Sequence, residues 1–298
     1  MTSRAASLIL DRPLDPLRTF SLHRHGPLDP TIRIDRSGLW RATLTPEGPA
    51  TLRLDIRGCE VAAASWGPGA SWTIERVRVF TGADDVSTVV PVHRAVRELQ
   101  HRLPGLRIGA SHAVLEALVP AILEQKVTSY EAHQSFRRLV FAFGQPAPGP
   151  VRLRVPPDPA VLAAQPYWVF HRFGIERKRA DVIRAVCARA ARLEECVDLP
   201  AVDADARLLS FRGVGAWTVA EVRARAMGDP DAVSVGDLHL PHLVAWTLAG
   251  EPSADDERML ELLEPYRGQR GRVIRMIESG ARRPRRVPRP RIRAIERI

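Results

Sequence analysis

Between residues 31 and 56 apolar and polar side chains alternate with a period of two. Thr31-Ile32-Arg33-Ile34, Leu39-Trp40-Arg41-Ala42-Thr43-Leu44 and Thr51-Leu52-Arg53-Leu54-Asp55-Ile56 read as strands separated by Gly and Pro turns. β-rich character extends over about 16–90, with a helix predicted at 71–80 after the turn Gly67-Pro68-Gly69. Ala83-Asp84-Asp85 then reads as a connection. From about 92 to 280 the period becomes helical: Leu115, Leu118, Val119 and Ile122 fall on one face, and Pro120 implies a kink or restart. Thr128 and Glu131 form a capping box for a helix ending at Gly144. After the proline-rich stretch PAPGPVRLRVPPDP, Asp158-Pro159 opens another helix. A long basic helix is predicted over 176–195 and a shorter one over 204–210. The pattern is α+β, with a small N-terminal α/β domain (1–90), helical domains (91–280) and a basic, aperiodic tail (281–298).

Composition narrows the class. The 298 residues are 45% hydrophobic and 26% charged, enough for two domains with proper cores. No apolar run reaches the roughly 18 residues a membrane span needs, and the opening MTSRAASLILDRPLDP does not read as a signal peptide. Cys59, Cys187 and Cys196 are odd in number and have no metal or redox spacing, as expected of reduced cytosolic thiols. The net charge of +10 favours polyanions, nucleic acid being the commonest. An arginine-rich composition alone gives the same excess, so charge leaves the partner open. His101, His112, His133, His171, His239 and His242 form no metal-binding spacing and read as surface or core residues, with His239 and His242 as candidate DNA contacts.

The most informative stretch is FRGVGAWT, residues 211–218. A short helix, a Gly-x-Gly turn and a helical run over 216–227 describe a helix-hairpin-helix. Gly213 and Gly215 are expected to supply positive φ and admit another backbone closely. The unpaired N–H groups at the second helix's start would seat a phosphate, with Thr218 adding a hydroxyl and Arg212 a charge. An ordinary tight helix connection fits the same residues. Beyond Gly228-Asp229-Pro230, residues 231–235 run extended, and Gly236-Asp237 open a helix over 238–248. Asp237 stands at the N-cap, a role worth about 1 kcal/mol that leaves the preceding glycine unexplained.

FRGVGAWTVAEVRARAMGDPDAVSVGDLHL resembles the hairpin-plus-aspartate signature of the helix-hairpin-helix DNA glycosylases, and more narrowly the DNA-3-methyladenine glycosylase II family. The similarity extends to AILEQKVT (121–128) and EPYR (264–267) and covers most of the chain except the tail. It implies a small α/β domain before helix-hairpin-helix glycosylase domains, with the DNA cleft between helical subdomains. It makes Asp237 the catalytic carboxylate, which would stabilise positive charge on the sugar and activate water. Where relatives that cut the strand carry a Schiff-base lysine, this chain has Trp217, implying a monofunctional enzyme. Trp217 would also face a cationic base by cation–π attraction, worth about 2 kcal/mol when desolvated.

By the same resemblance Tyr266 is a second pocket wall, and Glu221 and Leu238 stand where aromatic pocket residues are frequent. Gln125 and Lys126 match the loop that plugs the duplex, and Arg212 replaces the hairpin's usual proline. With Gly213, Val214, Gly215 and Thr218 they make the expected DNA contacts. No cysteine follows Cys196, so an iron–sulfur loop is not expected; a monovalent cation on hairpin carbonyls is compatible with the family. The implied activity is excision of 3-methyladenine or 7-methylguanine from double-stranded DNA by a cytoplasmic, nucleoid-associated monomer. Alternatives are a glycosylase for uracil, deaminated or mismatched bases, and a DNA-binding module without catalysis.

Overall fold

The computed structural model describes residues 3–281. Most of the basic tail predicted at 281–298 therefore lies outside the described residues. The period-two region forms a five-stranded antiparallel sheet: β1 (Ser3–Ile9), β2 (Ile32–Asp35), β3 (Gly38–Thr45), β4 (Gly48–Arg57) and β5 (Glu60–Trp66), in the order β1-β5-β4-β3-β2. Two-residue turns fix the register, setting Leu39 opposite Leu54 and Ile56 opposite Val61. One face, with Leu52, Leu54, Ile56 and Ala63, packs on Phe20 of α1 (Pro16–Phe20). It also covers Val77 and Phe80 of α3 (Val77–Phe80), which follows α2 (Ala70–Glu75). The helix expected at 71–80 is thus split at Arg76.

The opposite face buries Ala42 against Leu153 and Val155 of the proline-rich stretch. Arg154 N–H donates to the Pro30 carbonyl at 2.9 Å, so this stretch, too poor in donors for a helix, serves as a cover for the sheet.

The helical part comprises α4 (Arg94–Arg102), α5 (Val114–Glu124), α6 (Ser129–Phe143), α7 (Pro159–Ala164), α8 (Arg177–Cys187), α9 (Ala190–Glu194) and α10 (Ala201–Leu209). It continues with α11 (Ala216–Val222), α12 (Leu240–Ala249), α13 (Asp256–Leu263) and α14 (Arg270–Gly280). The elements from α5 to α11 share one core, built on Leu118, Ile122, Leu139, Phe170, Ile183 and Val222. A second core joins α4 to α12, α13 and α14 through Val96, Leu99, Val244, Met259 and Val273. Among the described residues no helix is long and apolar enough to cross a membrane.

The capping box forms as expected: Thr128 accepts from Glu131 N–H at 3.2 Å while Glu131 accepts from Thr128 N–H at 3.0 Å. Further details differ from the sequence pattern. The basic helix over 176–195 breaks into α8 and α9. α5 runs through the buried Pro120 without a restart, and α12 begins at Leu240, after Asp237 rather than directly on it. α5 is held at its start by Glu194, whose two oxygens accept from Val114 and Leu115 N–H at 2.7 and 2.8 Å. Burial nonetheless pushes the Glu194 carboxyl up to about 7.

The sheet domain and α14 are tied through one carboxylate. Asp85 accepts from Arg272 Nη1 at 2.9 Å, Arg12 Nη2 at 2.8 Å and Ile108 N–H at 3.0 Å. Asp85 and Arg272 side chains are 6% and 3% exposed, so this is a desolvated junction between three segments far apart in sequence.

Candidate active site

The hairpin joins α10 to α11. Gly213 has φ +99°, and a Cβ there would stand 2.5 Å from Val182 Cγ2, so both backbone and packing require glycine. Gly215 differs from expectation. Its φ is −114°, open to any residue, and nothing lies within 4 Å of an added Cβ. The fold therefore gives no reason for glycine at 215, whereas a ligand approaching the start of α11 would. Val219 N–H is the first to close on a helical carbonyl, that of Gly215, which leaves the preceding amides directed out of the turn. α11 continues into a π-helical turn at Arg223–Met227, whose Arg225 and Ala226 carbonyls accept from Ser111 and His112 N–H, each at 3.0 Å.

Two candidate phosphate ligands are otherwise engaged. Thr218 is 2% exposed, and its hydroxyl accepts from Gln125 Nε2 at 3.0 Å, so it braces the hairpin instead of offering an outward hydroxyl. Val214 is buried in the first core and its N–H donates to the Phe211 carbonyl at 2.9 Å. Gln125 Nε2 also donates to the Gly213 carbonyl at 2.9 Å, which ties that half-buried side chain to the hairpin. Lys126 is exposed and carries φ +57°, rare for a side chain other than glycine or asparagine, at the tip of the same turn. Arg212 is exposed beside the hairpin. The Phe211 and Gly213 carbonyls each retain a second lone pair with which a monovalent cation could be held.

Asp237 lies on the crossing between the two cores. Gly236, at φ +90°, turns the chain so that Asp237 faces both neighbours, and this accounts for the glycine. Asp237 Oδ1 accepts from His239 and Leu240 N–H at 2.8 and 2.9 Å, capping the start of α12. Oδ2 accepts from Trp217 Nε1–H at 3.1 Å, in the first turn of α11. The carboxylate thus does more than cap: it bridges α11, after the hairpin, to α12 of the other core. Three N–H donors orient an anion that is only partly covered.

The overall arrangement matches solved structures over nearly its whole length. A 3-methyladenine DNA glycosylase from Archaeoglobus fulgidus superposes with TM-score 0.77 at 17% identity, covering 92% of this chain and 97% of that one. An 8-oxoguanine glycosylase/lyase from Clostridium acetobutylicum, solved with double-stranded DNA, gives 0.71 at 12% identity over 94% and 97%. The chain has the fold of the helix-hairpin-helix DNA glycosylases.

A curated relative described as a probable bifunctional transcriptional activator/DNA repair enzyme AlkA, from Mycobacterium tuberculosis, is 30% identical over 150 residues. That match spans 49% of this chain and 29% of the relative, so it covers well under half of the relative's length. No protein-family model matches the chain.

On this glycosylase fold the expected pocket residues separate. Trp217 meets Asp237 directly. Leu238 is 70% exposed next to it, free to meet a ligand. Glu221, one turn beyond Trp217, pairs with Arg225 and accepts from the Ser234 hydroxyl. Tyr266 does not line an open wall. It is 3% exposed in the second core, and its hydroxyl accepts from His93 N–H at 3.0 Å and lies 2.7 Å from His93 Nδ1. The side chain after α13 that the resemblance marks as a wall is instead part of the second core.

Glu124, His25 and Arg225 carry no local sequence signal that would bring them together. Glu124 ends α5, immediately before the Gln125-Lys126 turn, and Arg225 Nε donates to the Leu22 carbonyl of the sheet domain at 3.0 Å. These groups come from segments up to two hundred residues apart, which no local motif could join.

Proposed function

We propose that this chain is a monofunctional DNA glycosylase that hydrolyses the N-glycosidic bond of alkylated purines in duplex DNA, the first step of base excision repair. The observation that carries this reading is the Asp237 carboxylate, fixed on one oxygen by the α12 amides and on the other by Trp217, beside a hairpin with an unfilled approach at Gly215. As the bond from C1′ to the base breaks, the electron pair leaves with the base and positive charge builds on the sugar. A preorganised anion there stabilises that charge. Water then adds to C1′ and its proton passes to the carboxylate. A base extruded from the duplex would meet Trp217 and Leu238, with the indole face suited to a cationic methylated ring. Lys126, held at the loop tip, is the side chain placed to enter the gap, while Gln125 braces the hairpin. Of the two glycosylases named above one is described as acting on 3-methyladenine and the other on 8-oxoguanine, and the curated relative is described as a probable DNA repair enzyme, so the alkylpurine choice rests on Trp217.

Trp217 has no amine to form an imine with the opened sugar. Borohydride treatment during turnover of a lesion-bearing duplex is expected to trap no covalent protein–DNA adduct. An adduct in high yield would overturn the monofunctional reading.

Gly215→Ala separates duplex holding from base choice. The alanine fits the fold without strain, so the melting temperature should be unchanged. Its methyl group would stand where a phosphate approaches, and affinity for damaged and undamaged duplex alike is expected to fall by about tenfold, roughly 1.4 kcal/mol. A change in base preference with full affinity for undamaged DNA would show that the hairpin does not hold the backbone.

A further inference from the structure

Asp237 sits on a turn that little packing holds. The chain leaves the second core at Val233 and returns to it at Leu240, and between them Gly236, Leu238 and His239 are exposed. Nothing lies within 4 Å of a Cβ built at Gly236, whose φ of +90° sets the direction of the next residue. The Val235 and Asp237 N–H groups close only on the Val233 and Ser234 carbonyls of the turn itself, at 2.9 and 3.3 Å. Apart from the bonds of the Asp237 carboxylate, two hydrogen bonds between described residues tie this turn to other elements. The Ser234 hydroxyl donates to Glu221 of α11, and the Gly236 N–H donates to Asp256 Oδ2 of α13 at 2.9 Å. The start of α13 is capped by Asp255, which accepts from Arg258 N–H at 2.9 Å, so Asp256 is free of that duty. Asp256 Oδ1 is buried and accepts no hydrogen bond from the described residues. The directed interaction of this carboxylate is therefore the one that Oδ2 makes with the turn carrying Asp237.

We propose that Asp256 is a positioning residue for Asp237. This rests on the glycosylase reading above, with Asp237 as its catalytic carboxylate. A hydrogen bond accepted by a carboxylate is stronger than one between neutral groups. Here it pins the peptide immediately ahead of Gly236, a residue whose backbone is otherwise free to turn. Trp217 holds the Asp237 side chain from α11, and Asp256 holds its backbone approach from α13. The carboxylate is thus clamped from both cores, and its place relative to C1′ of a bound nucleotide is set before the bond begins to break. Without the α13 anchor the Trp217 bond is left to restrain a turn that can swing about Gly236. The charge of Asp237 remains, and its preorganisation is what is lost.

The test is single-turnover excision of 7-methylguanine by wild type, Asp256→Ala, Asp256→Asn and Asp255→Ala, with duplex affinity and melting temperature measured alongside. At saturating protein, Asp256→Ala is expected to release the base about ten- to a hundredfold more slowly, the scale of a misplaced catalytic group, with affinity for the lesion duplex within about twofold of wild type. Asparagine keeps an oxygen for the Gly236 N–H, so Asp256→Asn should recover the rate to within about threefold of wild type. Asp255→Ala removes the α13 cap instead, and should lower the melting temperature while the rate stays within about twofold of wild type. A wild-type rate in Asp256→Ala would overturn the proposal. So would an asparagine variant as slow as the alanine one, or an equal loss of rate in Asp255→Ala, which would trace the effect to charge or to helix stability. A loss confined to duplex affinity, with full rate at saturation, would overturn it as well. Release of no base by wild type would sink the glycosylase reading itself, a result distinct from all of these.

Discussion

Exchanging Asp237 for asparagine is expected to slow base release by about a hundredfold or more while the chain stays folded. The structure refines what a capping role alone would give. The asparagine oxygen can take over the two α12 amides, so the cap itself survives. Its NH2 group, however, would point at the Trp217 indole N–H, donor against donor, where Oδ2 now accepts at 3.1 Å. The loss of that bond costs about 1 kcal/mol of stability. Removing an anion aimed at the sugar costs far more, on the order of 3 kcal/mol in the transition state, which is where the hundredfold comes from. Duplex affinity should hold or rise, because repulsion from phosphate is relieved. A melting curve, a binding titration and single-turnover excision distinguish these contributions. Wild-type excision by the Asn variant would leave Asp237 as a cap and favour a binding module.

The largest effect on stability is expected at Asp85. Asp85→Ala strands the Arg272 guanidinium, 3% exposed, and leaves Arg12 and the Ile108 N–H without their shared acceptor. Breaking a buried pair from one side typically costs 3–5 kcal/mol. The sheet domain and α14 are the elements this carboxylate joins, so the loss should appear as a large fall in melting temperature. Asp85→Asn, which keeps an acceptor in place, should lose less. A melting temperature unchanged in the alanine variant would mean that the apolar cores alone hold the domains together.

Much of this organisation is legible in the sequence wherever the signal is local. Strands β2, β3 and β4 follow from alternation, and the Thr128–Glu131 box and the Asp158-Pro159 start follow from capping chemistry. β1 is missed because it is an exposed edge strand in which small and polar residues give no clear alternation. The break between α8 and α9 falls at residues 188–189, with neither glycine nor proline to mark it. Gly213 is readable as a positive-φ position, but nothing local in the sequence distinguishes Gly215, whose φ is −114°, from it. Thr218 and Tyr266 are polar groups whose direction is set by packing from other segments: one turns to Gln125, the other to His93. The environment of Glu124 is equally non-local, since His25 Nδ1 of the sheet domain and His133 Nε2 of α6 each stand 4.0 Å from its Oε1.

The most direct measurement is to incubate the wild-type protein with duplex DNA carrying 3-methyladenine or 7-methylguanine and identify the released material by mass spectrometry. Free methylated base, with an abasic but uncut strand left behind, is the expected result. A duplex that is bound yet keeps its methylated base would contradict catalysis at Asp237.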